Sequence, residues 1–287
     1  MSQQPQLTHF SPPRPSISIE FFPPRDEAAS ARMLQAATEL KSLNPEYVSV
    51  TYGAGGSTQQ GTLTAVKQLI AEGYDVAPHL SCIGSSAEAL RGVLTSFQQL
   101  GIKRIVALRG DMPSGMVDLG PFRHATDLVR FIREETGAAF NIQVAAYPEV
   151  HPQSNSPDAD LTHFVAKMAA GADGAITQYF FNADAYFDFV DRSTAKGVIA
   201  PIVPGIMPIT NYYQLARFSE MCGTEIPRWI RLRLLSMGDD RASIRAFGQD
   251  VVTQLCQTLL DGGAPGLHFY SMNQSEPTAS IYHDLDF

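Results

Sequence analysis

Residues 105–111 read IVALRGD, an uncharged apolar run that stops abruptly at an arginine, a glycine and an aspartate. A continuous apolar strand is typical of a parallel sheet that is covered on both faces. In such folds the functional side chains gather at the carboxyl ends of the strands. We therefore predict that Arg109 and Asp111 lie at a functional edge, provided that other strands end in the same way.

Strand-like apolar runs recur along the chain. The first is SISIEFF at 16–22, and later runs end near Thr51, His79, Asp111, Tyr147, Gln178, Gly205 and Tyr270. Most of these ends are about thirty residues apart, which is the size of a βαβ unit. Between them, residues 87–100 and 122–135 carry apolar side chains at helical spacing. Eight strands alternating with helices predict an α/β fold, a single (β/α)₈ TIM barrel, with an open doubly wound sheet as the alternative.

The chain is predicted to form one domain. Residues 1–15 are polar and proline-rich and are expected to form a flexible N-terminal arm, followed by the barrel at 16–287. The interval between Gly205 and Leu267 is longer than one helix requires. Its segments 212–221, 228–235 and 241–260 look helical, so we expect one or more extra helices between strands 7 and 8.

Composition excludes several classes of function. The net charge of −8 and the pI near 5.3 argue against nucleic-acid binding but leave room for a small anion in a local cationic pocket. The three cysteines form no CxxC pair, and there is no signal-like N-terminus and no long apolar run, so we expect reduced thiols, a cytoplasmic location and no membrane partner. No HExxH motif occurs, and no metal is predicted.

Polar side chains stand at, or just after, most predicted strand ends. One of them alone could cap a helix or satisfy a hydrogen bond at the edge. Because the strand ends of a barrel form one rim, together they are the polar lining expected of an active site. These residues are Glu20, Thr51, His79, Arg109, Asp111, Tyr147, His151 and Gln178.

Glu20 is the most informative of these residues. Its neighbours Ile19 and Phe21 are apolar, so desolvation is expected to raise the pKa of its carboxyl and make it a general acid. The alternative is a buried carboxylate that is paired with an arginine such as Arg25 or Arg109.

Two turns could hold a flat or anionic group. The glycine-rich turn TYGAGGS at 51–57 offers backbone amides to a phosphate or a ring, although a tight turn would need the same glycines. In AYPEVH at 146–151, Tyr147 and His151 flank a proline turn and could form an aromatic ledge, unless Tyr147 only packs in the core. The residues thus predict a barrel enzyme with an acid and a ledge for a flat cofactor.

Eight motifs, read in order, resemble the bacterial methylenetetrahydrofolate reductases over about residues 16–273: ISIEFFPP, VTYGAGGS, PHLSC, IVALRGD, VAAYPEVHP, ITQYFF, PGIMPITNY and HFYSMN. The resemblance implies an FAD-dependent TIM barrel of one-carbon metabolism and methionine supply. Its expected reaction is the reduction of 5,10-methylenetetrahydrofolate to 5-methyltetrahydrofolate by NADH or NADPH in a ping-pong mechanism. Folate and a nicotinamide dinucleotide are the implied partners, and the oligomeric state stays open between a monomer and a homo-oligomer.

The resemblance also implies roles for single residues. Glu20 matches the acid that protonates the folate and opens its five-membered ring to an iminium ion, and Asp111 matches an aspartate close to flavin and pterin. Gln178, Gln214, Phe218 and Gln274 match substrate-binding positions. The matching FAD positions are Thr51, Tyr52, Ala54, His79, Arg109, Gly110, Asp111, Ala125, Tyr147, His151, Asp160 and Lys167. Of these, Thr51 lies near the nicotinamide, and Arg109 and Lys167 are the expected partners of the pyrophosphate.

The family pattern is not matched everywhere. His124 stands where a tyrosine is familiar, His163 and Ala166 where an amide and an arginine occur, and Gln274 where an arginine is common. These changes affect the adenine half of FAD and the tail of folate. Two other functions stay open: another flavin-dependent barrel that oxidises a small amine, and a non-catalytic accessory protein that binds folate or flavin.

Overall fold

The computed structural model describes residues 15–52, 59–111 and 120–286, with no account of the Gln59 side chain. Ala54, most of the glycine-rich turn and nearly all of the proposed N-terminal arm lie outside these residues. None of the described helices is both long and apolar enough to cross a membrane.

Parallel strand segments alternate with helices along the described chain and form one sheet in the order β7-β6-β5-β4-β3-β2-β1-β9-β8. The predicted alternation is confirmed. The strands are β1 (Ser16–Phe21), β2 (Tyr47–Val50), β3 (Val76–Ser81), β4 (Arg104–Leu108), β5 (Asn141–Ala146), β6 (Gly174–Thr177), β7 (Ile202–Val203), β8 (Gly205–Ile206) and β9 (Gly266–Tyr270).

The two short segments β7 and β8 close the sheet into a barrel. Ile202 pairs with Ala175 in β6, and Gly205 pairs with His268 in β9. Between them the carbonyl of Pro204 accepts a hydrogen bond from the His268 amide at 2.9 Å. Because proline has no amide hydrogen, it cannot continue the ladder, and the seventh strand of the barrel is divided there. The eight-stranded barrel is therefore confirmed, but the sequence patterns did not predict its divided seventh strand.

Helices cover the outside of the barrel, and several begin at a side-chain cap: Asp26, Ser86, Ser156, Asn182, Asn211 and Asp240 each accept a backbone amide hydrogen. Three helices lie between β8 and β9, which confirms the extra helices expected there. The helices are α1 (Glu27–Leu40), α2 (Gln59–Ala71), α3 (Ala87–Gln99), α4 (Ala125–Thr136), α5 (Pro157–Ala169), α6 (Ala183–Ala195), α7 (Tyr212–Cys222), α8 (Arg228–Ser236), α9 (Arg241–Asp261) and α10 (Glu276–His283).

The interior of the barrel is unusually polar. The main hydrophobic core, with Ile19, Phe21 and Phe269, lies between the strands and the helices. Alternate residues point inward, and there a small apolar group of Tyr47, Ala77, Val106 and Ile176 shares the space with polar side chains. The buried polar side chains on inward-facing strand positions include Ser18, Ser49, His79, Gln143 and His268.

Candidate active site

Glu20 lies near the carboxyl end of β1 and points into the barrel, because it stands in register with Ser49 of β2 and Tyr270 of β9. Its side chain is 17% exposed and meets two histidines. Oε2 lies 3.2 Å from Nε2 of His79 and 3.7 Å from Nε2 of His268. Both Nε2 atoms are buried and form no hydrogen bond with any described residue, so their contact with the carboxylate is one of charge and proximity.

The predicted rise in the pKa of Glu20 is wrong for this site. Burial does raise the pKa of the carboxyl, but the electrostatic interaction with His79 and the close approach of both imidazoles outweigh it and lower the pKa to about 2. The contacts that set this value are histidines rather than the arginines considered from the sequence. The prediction used only the apolar neighbours within the strand, whereas the deciding groups come from β3 and β9.

His268 and Ser18 extend this contact deeper into the barrel. His268 is fully buried, and its Nδ1 lies 2.7 Å from the hydroxyl of Ser18. The sequence patterns did not point to either residue. A signal was present, since Ser18 and Glu20 alternate with apolar residues in β1, and His268 and Tyr270 do so in β9.

Arg109 and Asp111 follow β4 without pairing with each other. The guanidinium of Arg109 donates from Nη2 to Oε1 of Gln153 at 2.7 Å and from Nε to the carbonyl of Gly110 at 3.2 Å. Within the described ranges no salt bridge joins it to Asp111. Asp111 is exposed, and its negative charge helps burial raise the pKa of Tyr147 to about 12. The two charges are thus not paired with each other, although both act on the Tyr147 hydroxyl.

Gly110 permits the sharp turn between these two charges. Its φ is +87°, and a Cβ there would lie 1.8 Å from Oγ of Ser81. That side chain donates in turn to the Arg109 carbonyl at 2.9 Å. Only glycine fits both the backbone angle and this close approach.

Tyr147 and His151 stand together after β5. Their rings meet edge to face, with centroids 4.5 Å apart and planes at 70°. The His151 amide donates to Oδ2 of Asp160 at 2.9 Å. Val150 has φ of +101°, which is strained for a β-branched residue. The two rings thus stand next to each other after β5, but at a steep angle rather than as one flat surface.

Lys167 in α5 and Ala125 in α4 lie on the same side of the barrel. Nζ of Lys167 donates to the carbonyl of Ala145 and lies 5.6 Å from the ring centroid of Phe164. Burial lowers the pKa of Lys167 to about 8, although Asp160 acts in the opposite direction. Ala125 is the first residue of α4, so its amide belongs to a helix N-terminus that can receive an anion.

Neutral polar groups follow β2 and β6 elsewhere on the rim. Oγ1 of Thr51 is buried, and no described residue offers it a hydrogen bond. Tyr52 is half-buried, and this burial raises the pKa of its hydroxyl. The side chain of Gln178 accepts the amide hydrogen of Tyr179 at 3.0 Å.

Gln214 and Phe218 lie one turn apart on α7, the helix that follows the seventh strand. Gln214 is exposed, whereas Phe218 is partly buried against the hydrophobic core. α7 begins a few residues after the carboxyl end of the seventh strand, and Phe218 keeps part of its surface exposed.

The turn after β9 ties the carboxyl ends of β1 and β9 together. Met272 and Asn273 both have left-handed backbones, with φ of 53° and 55°. The Asn273 side chain accepts the Phe22 amide at 3.0 Å and donates to the Phe22 carbonyl at 2.9 Å. Gln274 follows in the same turn, where its amide donates to the carbonyl of Ser271. The motif HFYSMN thus holds the end of the Glu20 strand.

The comparisons with known proteins agree with this geometry. A family model described as methylenetetrahydrofolate reductase matches residues 8–286. The 5,10-methylenetetrahydrofolate reductases of Salmonella typhimurium and Escherichia coli are each 38% identical over 271 residues, which cover 94% of this chain and 90% of theirs. An uncharacterised Clostridium thermocellum protein that binds two copies of 5-methyl-5,6,7,8-tetrahydrofolic acid superposes with a TM-score of 0.66. It shares 15% identity over 94% of this chain and 93% of its own, and so shows the fold alone.

Proposed function

The chain belongs to the methylenetetrahydrofolate reductase family, and from that premise we propose that it reduces 5,10-methylenetetrahydrofolate to 5-methyltetrahydrofolate with FAD and NADH or NADPH. The family match confirms the resemblance read from the motifs. The observation that carries the proposal is Glu20, an acid held between two histidines at the rim of the barrel, with the separate carboxylate of Asp111 on the same rim.

The rim has groups that fit FAD. Arg109 and Lys167 form no salt bridge with a carboxylate within the described ranges, so both cations are open to a pyrophosphate. The Tyr147 and His151 rings offer an aromatic surface, and the Ala125 amide and the Gly110 turn offer a close backbone approach. Thr51, Tyr52, His79, Asp111 and Asp160 complete the proposed contacts, together with Ala54, which is outside the described residues. When bound, FAD would take a hydride from the reduced nicotinamide and then give it to the folate, in ping-pong order.

The chain's own residues would prepare the folate for that hydride. Glu20 gives a proton to a nitrogen of the five-membered ring, the carbon–nitrogen bond breaks, and its electron pair stays on that nitrogen. The methylene carbon is left as a cationic iminium on the other nitrogen. The carboxylate of Asp111 stabilises this cation, since opposite charges attract strongly in a site from which water is excluded.

Neutral groups would position the two substrates. The buried Oγ1 of Thr51 is free to hydrogen-bond the nicotinamide, and Gln178 can turn its amide from the backbone to either substrate. Gln214 and Phe218 would contact the folate, the latter by stacking. Gln274, a neutral residue, would leave the folate carboxylates without the cation that is common at this position. Free thiols at Cys82, Cys222 and Cys256 fit a cytoplasmic location.

The test is an anaerobic titration of the purified protein after incubation with FAD. The bound flavin should bleach with NADH or NADPH, and its colour should return on adding 5,10-methylenetetrahydrofolate, with 5-methyltetrahydrofolate as the product. A colourless protein that takes up no FAD would refute the flavin mechanism. Bleaching without reoxidation by the folate would favour a barrel that acts on another small amine.

A further inference from the structure

A cavity of about 280 Å³ lies at the amino ends of the strands, opposite the rim. It is lined by Ser16 and Arg104 at strand starts, and by Tyr47 and Ser18. Its two carboxylates, Glu46 and Asp173, have side chains that are 49% and 40% exposed, so the cavity is within reach of solvent. A polar space of this size holds several water molecules.

Polar side chains lead from this cavity to Glu20. Ser18 stands in register with Tyr47 of β2 and with His268 of β9, so the three side chains lie side by side inside the barrel. The Ser18 hydroxyl lies 2.7 Å from Nδ1 of His268 and next to the side chain of Tyr47 on the neighbouring strand. Nε2 of His268 then lies 3.7 Å from Glu20. A hydroxyl and an imidazole can each accept one proton while donating another.

The Tyr47 ring is held on both faces. The guanidinium of Arg104 lies 4.1 Å from its centroid, and the ring of His268 stacks at 6.4 Å with planes 27° apart. Glu46 fixes this arginine at 2.6 Å. Burial raises the pKa of Tyr47, so its hydroxyl keeps a proton at neutral pH and can take part only by accepting one proton as it donates another.

The proposed reaction requires a path that delivers protons to Glu20. Under the proposed function, each folate gains a hydride and a proton, and the proton comes from Glu20. Without bound folate the pKa of Glu20 is about 2, so the carboxyl is ionised. It must therefore receive its proton after folate has bound. A folate within hydrogen-bond distance of Glu20 covers the rim, which obstructs that side as an entrance for solvent.

We propose that protons reach Glu20 from the amino end of the barrel, through water in the cavity, the hydroxyls of Tyr47 and Ser18, and the imidazole of His268. A cavity water gives a proton to the oxygen of Tyr47 and takes one from bulk solvent, while Tyr47 gives its own to Ser18. Ser18 passes its proton to Nδ1 of His268, and Nε2 gives its proton to the carboxylate when the 3.7 Å between them shortens to a hydrogen bond. One proton enters and none accumulates on the way. The route rests on the proposed function, and Tyr47 and Ser18 are positioning residues in it.

The test compares Tyr47→Phe with Tyr186→Phe. The control removes a hydroxyl of similar burial that donates to the Ile202 carbonyl at 2.8 Å, from a helix outside the barrel. Stopped-flow would follow the nicotinamide and folate half-reactions in H₂O and in D₂O. For Tyr47→Phe we expect a folate half-reaction slower by about five- to tenfold, part of the roughly 10²–10⁴-fold that a positioned acid contributes, with a larger solvent isotope effect. The nicotinamide half-reaction and both half-reactions of Tyr186→Phe should match the wild type.

Ser18→Ala removes the hydroxyl that contacts His268, one step closer to Glu20 in the route. It should raise the solvent isotope effect of the folate half-reaction in the same way. FAD content and affinity for 5-methyltetrahydrofolate should stay at wild-type values in both variants, whereas a distorted barrel would lower them. Wild-type folate rates and isotope effects in Ser18→Ala would overturn the route, whereas wild-type values in Tyr47→Phe alone would mean that water reaches Ser18 directly and that Tyr47 has no part in it. If Glu20→Gln also reduces folate at the wild-type rate, the proposed acid fails as well; if only Glu20→Gln is impaired, the route alone is wrong.

Discussion

Glu20 shows how a single residue depends on its partners across the barrel. Its carboxyl is buried, which by itself favours the neutral form, yet His79 and His268 keep it ionised in the open site. An acid held in this way receives its proton when the substrate changes the surroundings of the two imidazoles. The residue is thus poised for proton transfer rather than permanently protonated.

We predict that Glu20→Gln keeps the nicotinamide half-reaction and loses the folate half-reaction. The amide preserves the shape of the side chain but cannot supply a proton, so the second half-reaction should slow by roughly 10²–10⁴-fold. Rapid-scanning spectroscopy of the flavin would separate the two halves. Glu135→Gln, which removes a surface carboxylate paired with Arg91, is the control and should leave both unchanged. An equal loss of both half-reactions in Glu20→Gln would mean that Glu20 serves the structure and not the chemistry.

Acid should weaken the contribution of Glu20 to folding. Its pKa is lowered from 4.5 to about 2 in the folded chain, so its stabilisation is present above about pH 4.5 and is lost as the pH falls towards 2. The free energy of unfolding by urea, measured for the wild type and Glu20→Gln, should therefore differ most above pH 4.5 and converge below it. A difference that stays constant over this interval would contradict the lowered pKa.

At the scale of an element, the end of β4 depends on one glycine. Gly110 lets the chain turn between Arg109 and Asp111 while passing close to Ser81. The apolar run before it fixes the strand, and the turn after it decides where the two charges point.

We predict that Gly110→Ala is more destabilising than Gly101→Ala. Both glycines have positive φ, at +87° and +75°, so both variants should lose about 1–2 kcal/mol to backbone strain. A Cβ at 110 also meets Ser81, whereas one at 101 meets nothing within 4 Å. The extra loss of unfolding free energy in Gly110→Ala, measured by chemical unfolding, should be accompanied by weaker FAD binding. Equal losses in the two variants would show that the Ser81 contact has no effect.

At the scale of the whole molecule, the barrel is closed at two places. Pro204 divides the seventh strand so that one half pairs with β6 and the other with β9. Asn273 joins the end of β9 to Phe22, just beyond β1. These contacts join segments that are far apart in sequence and hold the rim in shape.

We predict that Asn273→Ala lowers the free energy of unfolding by about 1–3 kcal/mol, because two backbone groups of Phe22 lose their partner. Asn273→Asp keeps the acceptor for the Phe22 amide but loses the donor to its carbonyl, so it should be intermediate. Thermal and urea unfolding would measure both variants. Wild-type stability in Asn273→Ala would mean that water replaces the two hydrogen bonds to Phe22 with no loss of unfolding free energy.

The sequence by itself determined the alternation of strands and helices, the extra helices before β9 and the polar strand ends, because these follow from periodicity and local chain length. Its motifs also identified the family. Only the tertiary structure decided the divided seventh strand, the histidines that lower the pKa of Glu20, and the separation of Arg109 from Asp111. Those features depend on contacts between strands that are distant in the chain. A local sequence pattern does not specify which side chains meet across a barrel. The opening run IVALRGD therefore predicted the strand and its charges, while the closed sheet set their partners.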